Sequence, residues 1–158
     1  MMIPESSVLH PVAHDPSRPL QLLFGEGKNL KATSAFELHS MMEKGFPSDR
    51  VIAFVQSYSQ FRDHQVFAKI IGLSERTVQR RIKKPEPLTA EQTNSTWRLA
   101  SVLSKAEDIL GDRQQAVNWM TSPAMGLEGR APIDLLTTQM GFELVEDFLT
   151  RMEYGVYS

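Results

Sequence analysis

The chain contains no cysteine. That excludes disulfides, thiol nucleophiles and thiolate metal sites, and it fits a reducing cytosol. Histidine is scarce too, confined to His10, His14, His39 and His64. The first two stand in a Pro-containing stretch, where i, i+4 spacing converges on a metal only if a helix forms. No G-x-S-x-G, P-loop or H-E-x-x-H pattern occurs, and the adjacent acids Glu146 and Asp147 diverge on a helix. An enzyme, a metal site or a bound cofactor is therefore not expected. No apolar run approaches the roughly 20 residues that cross a bilayer, so no membrane contact and a cytoplasmic location are expected. The opening MMIPESSVLHPVAHDPSRP has neither a basic leader nor an apolar core and is expected not to be a signal peptide. With Pro4, Pro11, Pro16 and Pro19 it reads as an extended or disordered arm, residues 1–31. Nowhere do four to eight residues alternate cleanly with β-branched enrichment, so no strand is expected. The remaining fold class is all-α.

What is present is a chain of 158 residues, 41% apolar and 23% charged, enough for one compact domain or two small lobes. Its net charge of −2 conceals an asymmetry: residues 62–84 hold seven Lys/Arg against two acids, a net of +5, and the rest of the chain sums to −7. Such an island suits a polyanion contact, although a basic solvated helix face has the same composition.

Capping signals and apolar periodicity divide the chain into helices. Ser34 and Glu37 have capping-box spacing for a helix to about Lys44, closed by Gly45. Pro47 and Ser48 open a second, with Val51, Phe54, Val55 and Tyr58 at i, i+3, i+4 and i+7. A third is expected from about Asp63 to Ile71, with Phe67, Ile70 and Ile71 apolar. Ser74 caps a fourth that ends before Pro85. Thr89 and Gln92 form another capping-box pair, opening a long helix to about Leu110, buried through Leu99, Val102, Leu103, Ala106 and Leu110. Shorter helices are expected near Asp112–Met120, Pro132–Thr138 and Gly141–Tyr154, the first two separated by TSPAMGLEGRAP.

The segment QVFAKIIGLSERTVQRRIKK has the pattern of a helix-turn-helix. Such a motif needs a small residue where its helices touch and a glycine four residues later for the left-handed turn; Ala68 and Gly72 supply them. Leu73, Val78 and Ile82 would point into the core. With Val78 at 0° on a helical wheel, Ile82 lies near 40°, while Arg76, Gln79, Arg80 and Lys83 fall between about 100° and 200°. In a major groove that outer face offers Arg to guanine, Gln to adenine and Lys to phosphate. Thr77, Arg81 and Lys84 flank it and would reach the backbone. The expected DNA-binding residues are Arg76, Thr77, Gln79, Arg80, Lys83 and Lys84; a helical hairpin with a merely basic face is the plainer alternative. One recognition helix binds weakly, so a homodimer reading half-sites about 34 Å apart is expected. No helix stands out as the one that dimerises.

The end of the chain differs in kind. From Glu107 to Ser158 nine acids face three Arg, a balance that repels phosphates. Val145, Phe148, Leu149 and Met152 form an i, i+3, i+4, i+7 stripe, with Glu143, Glu146, Asp147 and Arg151 opposite and Asp147–Arg151 at helix-pair spacing. Trp119 reads as core rather than contact. The run AVNWMTSPAMGLEGRAPIDLLTTQMGFELVEDFLTRMEYGVYS resembles the toxin-binding domain of the Xre/ParS/MbcA antitoxins, through Trp119, Pro123, Leu127, Gly129, Pro132, Leu135, Leu136, Gly141, Val145, Leu149 and the ending Tyr154-Gly155-Val156-Tyr157. The upstream helix-turn-helix matches that family's domain order, and the resemblance covers about residues 45–158.

The resemblance implies a Cro/Xre-like helix-turn-helix domain followed by a small helical toxin-binding domain, with residues 32–110 as the DNA-binding and dimerisation region and 111–158 as the toxin-binding domain. It implies the antitoxin of a RES–Xre type II toxin–antitoxin system. Such a protein neutralises a RES-domain, NAD-depleting toxin, its C-terminus covering the toxin's active site, and autoregulates the operon by binding operator DNA. Toxin contact would then fall on Arg151, Glu153, Tyr154, Gly155, Val156, Tyr157 and Ser158, within a higher hetero-oligomer. The alternative is a stand-alone helix-turn-helix repressor whose C-terminal part only oligomerises.

Overall fold

The computed structural model describes residues 17–25, 32 and 34–155. These build an all-helical fold, with isolated bridges Pro47–Pro87 and Ala124–Arg130 and no strand among the described residues. In chain order the α-helices are α1 (Ser17–Phe24), α2 (Ala35–Lys44), α3 (Ser48–Gln56), α4 (Ser59–Asp63), α5 (Glu75–Lys83), α6 (Ala90–Leu110), α7 (Arg113–Met120) and α8 (Gln139–Glu153). A π-helical turn, Phe67–Ile71, precedes α5, and 3₁₀ segments Met125–Leu127 and Pro132–Thr137 link α7 to α8.

The long helix α6 is the axis. Its Thr89–Gln92 capping box forms in full, at 3.1 Å and 3.0 Å. Leu99, Val102, Leu103 and Ala106 are fully buried, while Leu110 is half-buried. α1, α7 and α8 pack against it, so one apolar core runs through both halves of the chain.

Part of the expected N-terminal arm belongs to that core. Ser17–Phe24 is helical, and Leu20, Leu23 and Phe24 repeat at i, i+3 and i+4 and are buried against α6 and α3. Pro19 sits in the first turn, where its missing N–H costs nothing. Phe24 meets Phe46 edge-on, centroids 5.2 Å apart. Four prolines bias a reading toward extended chain, but the apolar face outweighs one proline at a helix start. Residues 1–16 lie outside the described residues.

Three local expectations change. Ser34 caps α2 as anticipated, but Gly45 does not take the left-handed cap. Its φ of 89° comes with ψ of 134°, and a β-carbon there would lie 2.2 Å from the Leu88 carbonyl oxygen. The glycine is needed for backbone approach as much as for conformation. The third helix is broken: α4 ends at Asp63, and Gln65 takes φ 54°. The backbone N–H groups of Gly72 and Leu73 both reach the Phe67 carbonyl, at 2.8 and 2.7 Å, which widens the last turn into π geometry. At the other end, Thr138 caps α8 from Gln139, two residues before the expected start, through a 2.9 Å bond from Gly141 N–H. Pro132 opens its 3₁₀ segment with Asp134 in the first turn, as the dipole favours.

Candidate nucleic-acid and protein-binding surfaces

The recognition helix is built as the sequence implies at its start. Gly72 takes the left-handed turn, φ 89° and ψ 33°. Ser74 accepts the Thr77 N–H at 3.1 Å and donates to the Thr77 hydroxyl at 2.9 Å. Thr77 is half-buried and already engaged with this cap, so its hydroxyl helps hold the helix start. Val78 and Leu73 are buried as anticipated.

Two packing expectations are overturned. Ile82 is 46% exposed, because Arg81 takes the inward position near the helix end. The Arg81 side chain is only 12% exposed, donates to the carbonyls of Glu86 and Pro87 at 3.2 Å each, and pairs with the Glu86 carboxylate at 3.7 Å. It locks the connector to the helix instead of reaching a phosphate. On the wheel Arg81 lies about 60° from Val78 on the side away from Ile82, which turns the inward face off the isoleucine. Ala68 is exposed, not clamped between helices, because the π turn rotates it toward an open groove of about 780 Å³. That groove is lined by Val55, Val66, Leu73 and Val78, together with Arg62 and Gln79.

Arg76, Gln79, Arg80, Lys83 and Lys84 are exposed, and their side chains make no ion pair or hydrogen bond among the described residues. A guanidinium or ammonium group held in water by its own helix, with no internal anion, is free to meet a phosphate or a base edge. Arg62 and Lys69 are exposed as well; Arg62 shares the groove with Gln79. The sequence signal for Arg62 was the charge count of the 62–84 island, which could not assign it a position.

The second lobe is fastened to the first by polar contacts. Gln60 donates to Asn118 at 2.7 Å, Arg113 to the Tyr58 hydroxyl at 3.4 Å, and His64 Nδ1 lies 3.8 Å from Asp134. The π turn packs on the Pro132–Thr137 segment. Lys105 on α6 donates to Thr150 Oγ1 at 2.6 Å and lies 3.5 Å from the Glu146 carboxylate. Burial pushes the Glu146 carboxyl above its ordinary value, and the Lys105 charge only partly opposes this. Arg113 pairs with Glu107 at 3.2 Å, and Arg18 of α1 pairs with Glu107 and Asp108. Trp119 is half-buried and stacked on Phe148, centroids 6.0 Å apart at 8°.

At the end of α8, Arg151 is exposed and pairs with Asp147 at 3.0 Å. Glu153, Tyr154 and Gly155 are exposed, Tyr154 at 73%. Val156, Tyr157 and Ser158 lie outside the described residues. No group of three or more His, Cys, Asp or Glu converges on a metal site among the described residues, and no helix there is long and apolar enough to cross a membrane.

A basic helix-turn-helix joined to an acidic helical lobe is the architecture of a DNA-reading module with a second domain attached. Comparison with known proteins gives the class. Residues 62–101 match the antitoxin Xre-like helix-turn-helix domain, and residues 105–155 match the antitoxin Xre/MbcA/ParS C-terminal toxin-binding domain. Similar relatives include Antitoxin Xre of Pseudomonas putida, 30% identical over 77% of this chain and 74% of its own. Another, Antitoxin Xre of Yersinia enterocolitica, is 29% identical over 94% of this chain and 97% of its own. A Prs ADP-ribosylating antitoxin of Sphingobium is 23% identical over 83% of this chain and 87% of its own. The chain belongs to the Xre-type antitoxins, with a DNA-binding helix-turn-helix domain and a toxin-binding domain.

Proposed function

We propose that this antitoxin neutralises a RES-domain toxin that consumes NAD, and that it represses its own operon through the helix-turn-helix. In this reading the last turn of α8, with Arg151 and Glu153, and the residues after it, Tyr154, Gly155, Val156, Tyr157 and Ser158, cover the toxin's active site. Arg76, Gln79, Arg80, Lys83 and Lys84 meet operator DNA, and Thr77 sets the start of their helix. The protein works in the cytoplasm as a homodimer and, with toxin, as a larger hetero-oligomer; it performs no catalysis itself.

The observation that carries the reading is the separation of the two exposed surfaces. Arg76, Arg80 and Lys83 cluster on α5, exposed and unpaired among the described residues, whereas the aromatic ending follows α8 in the lobe that matches a toxin-binding domain. An exposed tyrosine closing an amphipathic helix is an interface anchor in search of a pocket. The repressor with a purely oligomerising second lobe accounts for the first surface and not for that match. The Sphingobium relative's name speaks of ADP-ribosylation and Prs, so ADP-ribosylation of a protein is the alternative activity for the partner.

Co-expression with the adjacent gene's product tests the reading. A stable copurifying complex, relief of growth arrest and restored cellular NAD are expected; a soluble, inert neighbour would refute it. Measuring ADP-ribosylated protein beside NAD separates transfer from hydrolysis. Removing residues 154–158 should impair neutralisation more than operator binding, and equal loss of both would contradict the division of surfaces.

A further inference from the structure

Part of the second lobe's surface is committed to contacts within the chain. One side of α8, with Val145 and Leu149, is buried in the core, and the Lys105 contacts to Glu146 and Thr150 tie it to α6. Asn118, Asp134 and Arg113 face the helix-turn-helix half through Gln60, His64 and Tyr58. Among the surfaces of this lobe that stay exposed, the outer arc of α8 is the one with large apolar side chains in line.

That arc carries exposed apolar side chains in line. Of the six large hydrophobic side chains exposed among the described residues, Met140, Leu144 and Tyr154 lie along it, at 66, 51 and 73%, while Met125 stands apart in the Met125–Leu127 segment. Scattered exposed hydrophobics need no explanation, but aligned ones do. With Met140 at 0°, Leu144, Asp147, Arg151 and Tyr154 all lie within about 40° of one line, some 21 Å long. The polar members of the line, Asp147 and Arg151, satisfy each other at 3.0 Å and carry no net charge together. The pair can therefore enter an interface without orphaning either charge. Phe148, with Trp119 stacked on it, borders the same arc, giving it a rigid edge.

We infer that the toxin seats along this outer arc of α8, with Met140 and Leu144 as its anchors, before the chain end goes on toward the toxin's active site. The inference rests on the neutralisation reading and adds where the partner's grip lies. The spacing is that of a helix laid in an apolar groove, read through residues one turn apart. The partner is therefore a folded protein with an apolar cleft, and the aromatic ending supplies the block while Met140 and Leu144 supply the hold.

The test uses the full chain and the product of the adjacent gene, the toxin in the reading above. Met140→Glu and Leu144→Glu should each weaken capture about 30-fold or more, with thermal unfolding unchanged because both sites are exposed. Removing residues 154–158 should release the toxin's activity while most of the capture persists. Because the chain has no cysteine, Leu144→Cys provides a second readout: its thiol should label readily when free and be protected in the complex. Unchanged capture by both Glu variants, or full labelling in the complex, would overturn this placement and leave neutralisation standing. A Leu144→Glu variant that altered the free chain's oligomeric state without touching capture would assign the arc to self-association and overturn it as well. Failure of the unsubstituted chain to bind the toxin would sink the neutralisation reading, and this one with it.

Discussion

Gly141 lies in the first turn of α8, and a β-carbon built there would lie 1.8 Å from the Leu135 carbonyl oxygen and 2.8 Å from its carbon. Ordinary contact begins at 3.4 Å, so Gly141→Ala forces an opening of about 1.6 Å between α8 and the Pro132–Thr137 segment. Neither atom is the far end of a flexible side chain, so the backbone itself must move. The movement also pulls on the Thr138 cap, whose hydroxyl accepts the Gly141 N–H at 2.9 Å. Overpacking of this kind costs about 1–3 kcal/mol and loss of a cap about 1 kcal/mol. Alanine's helix propensity returns at most about 1 kcal/mol, and less near a helix end. The net expectation is a loss of about 2–3 kcal/mol, or a melting temperature about 5–10 °C lower for a chain of this length. Urea unfolding and thermal melts of the full chain measure it. Equal or greater stability in the alanine variant would show that propensity wins and that the close approach does not exist in solution. At temperatures where the variant is folded, toxin capture should suffer before operator binding, because the displaced segment is in the second lobe.

Arg80→Ala should weaken operator binding by about 1–3 kcal/mol if the side chain reads guanine through both nitrogens, with toxin capture intact; unaltered affinity at fixed salt excludes that role. Removing Lys83 or Lys84 should instead lower the salt dependence of binding by about one counterion each, with little effect on sequence preference. For Glu146 the sign is opposite to that of an ordinary ion-paired carboxylate. Its folded-state pKa is raised above 4.5 by burial, so the native state holds the proton more tightly than the unfolded chain does. Stability is therefore lost as pH rises from about that value through the raised one. Glu146→Gln should be as stable as the unsubstituted chain in acid and should gain on it toward neutral pH, in urea titrations at several pH values. A variant that lost ground on raising the pH would refute the assignment of burial as the dominant cause. Arg81→Ala should lower stability and slow no DNA contact directly; a large drop in operator affinity without loss of stability would return Arg81 to the binding face.

Local chemistry made much of this protein legible from its residues. A capping box is written in four consecutive positions, and both Thr89–Gln92 and the Ser74 cap form as their spacing implies. The left-handed turn at Gly72 and the burial of Val51, Phe54 and Val55 follow from patterns one or two turns long. The second lobe was legible as a likeness, through landmarks such as Gly141 and Leu149 in fixed order, and the family comparison bears that out. What the residues could not reveal depended on partners distant in the chain. Pro19 and its neighbours read as an arm because their fate rests on burial against α6, some 80 positions away. Ile82 read as core because a helical wheel does not know that Arg81 will find the carbonyls of Glu86 and Pro87. Periodicity tells which side chains share a face; only the packed chain decides which face is covered, since burial is settled by whatever element arrives from elsewhere.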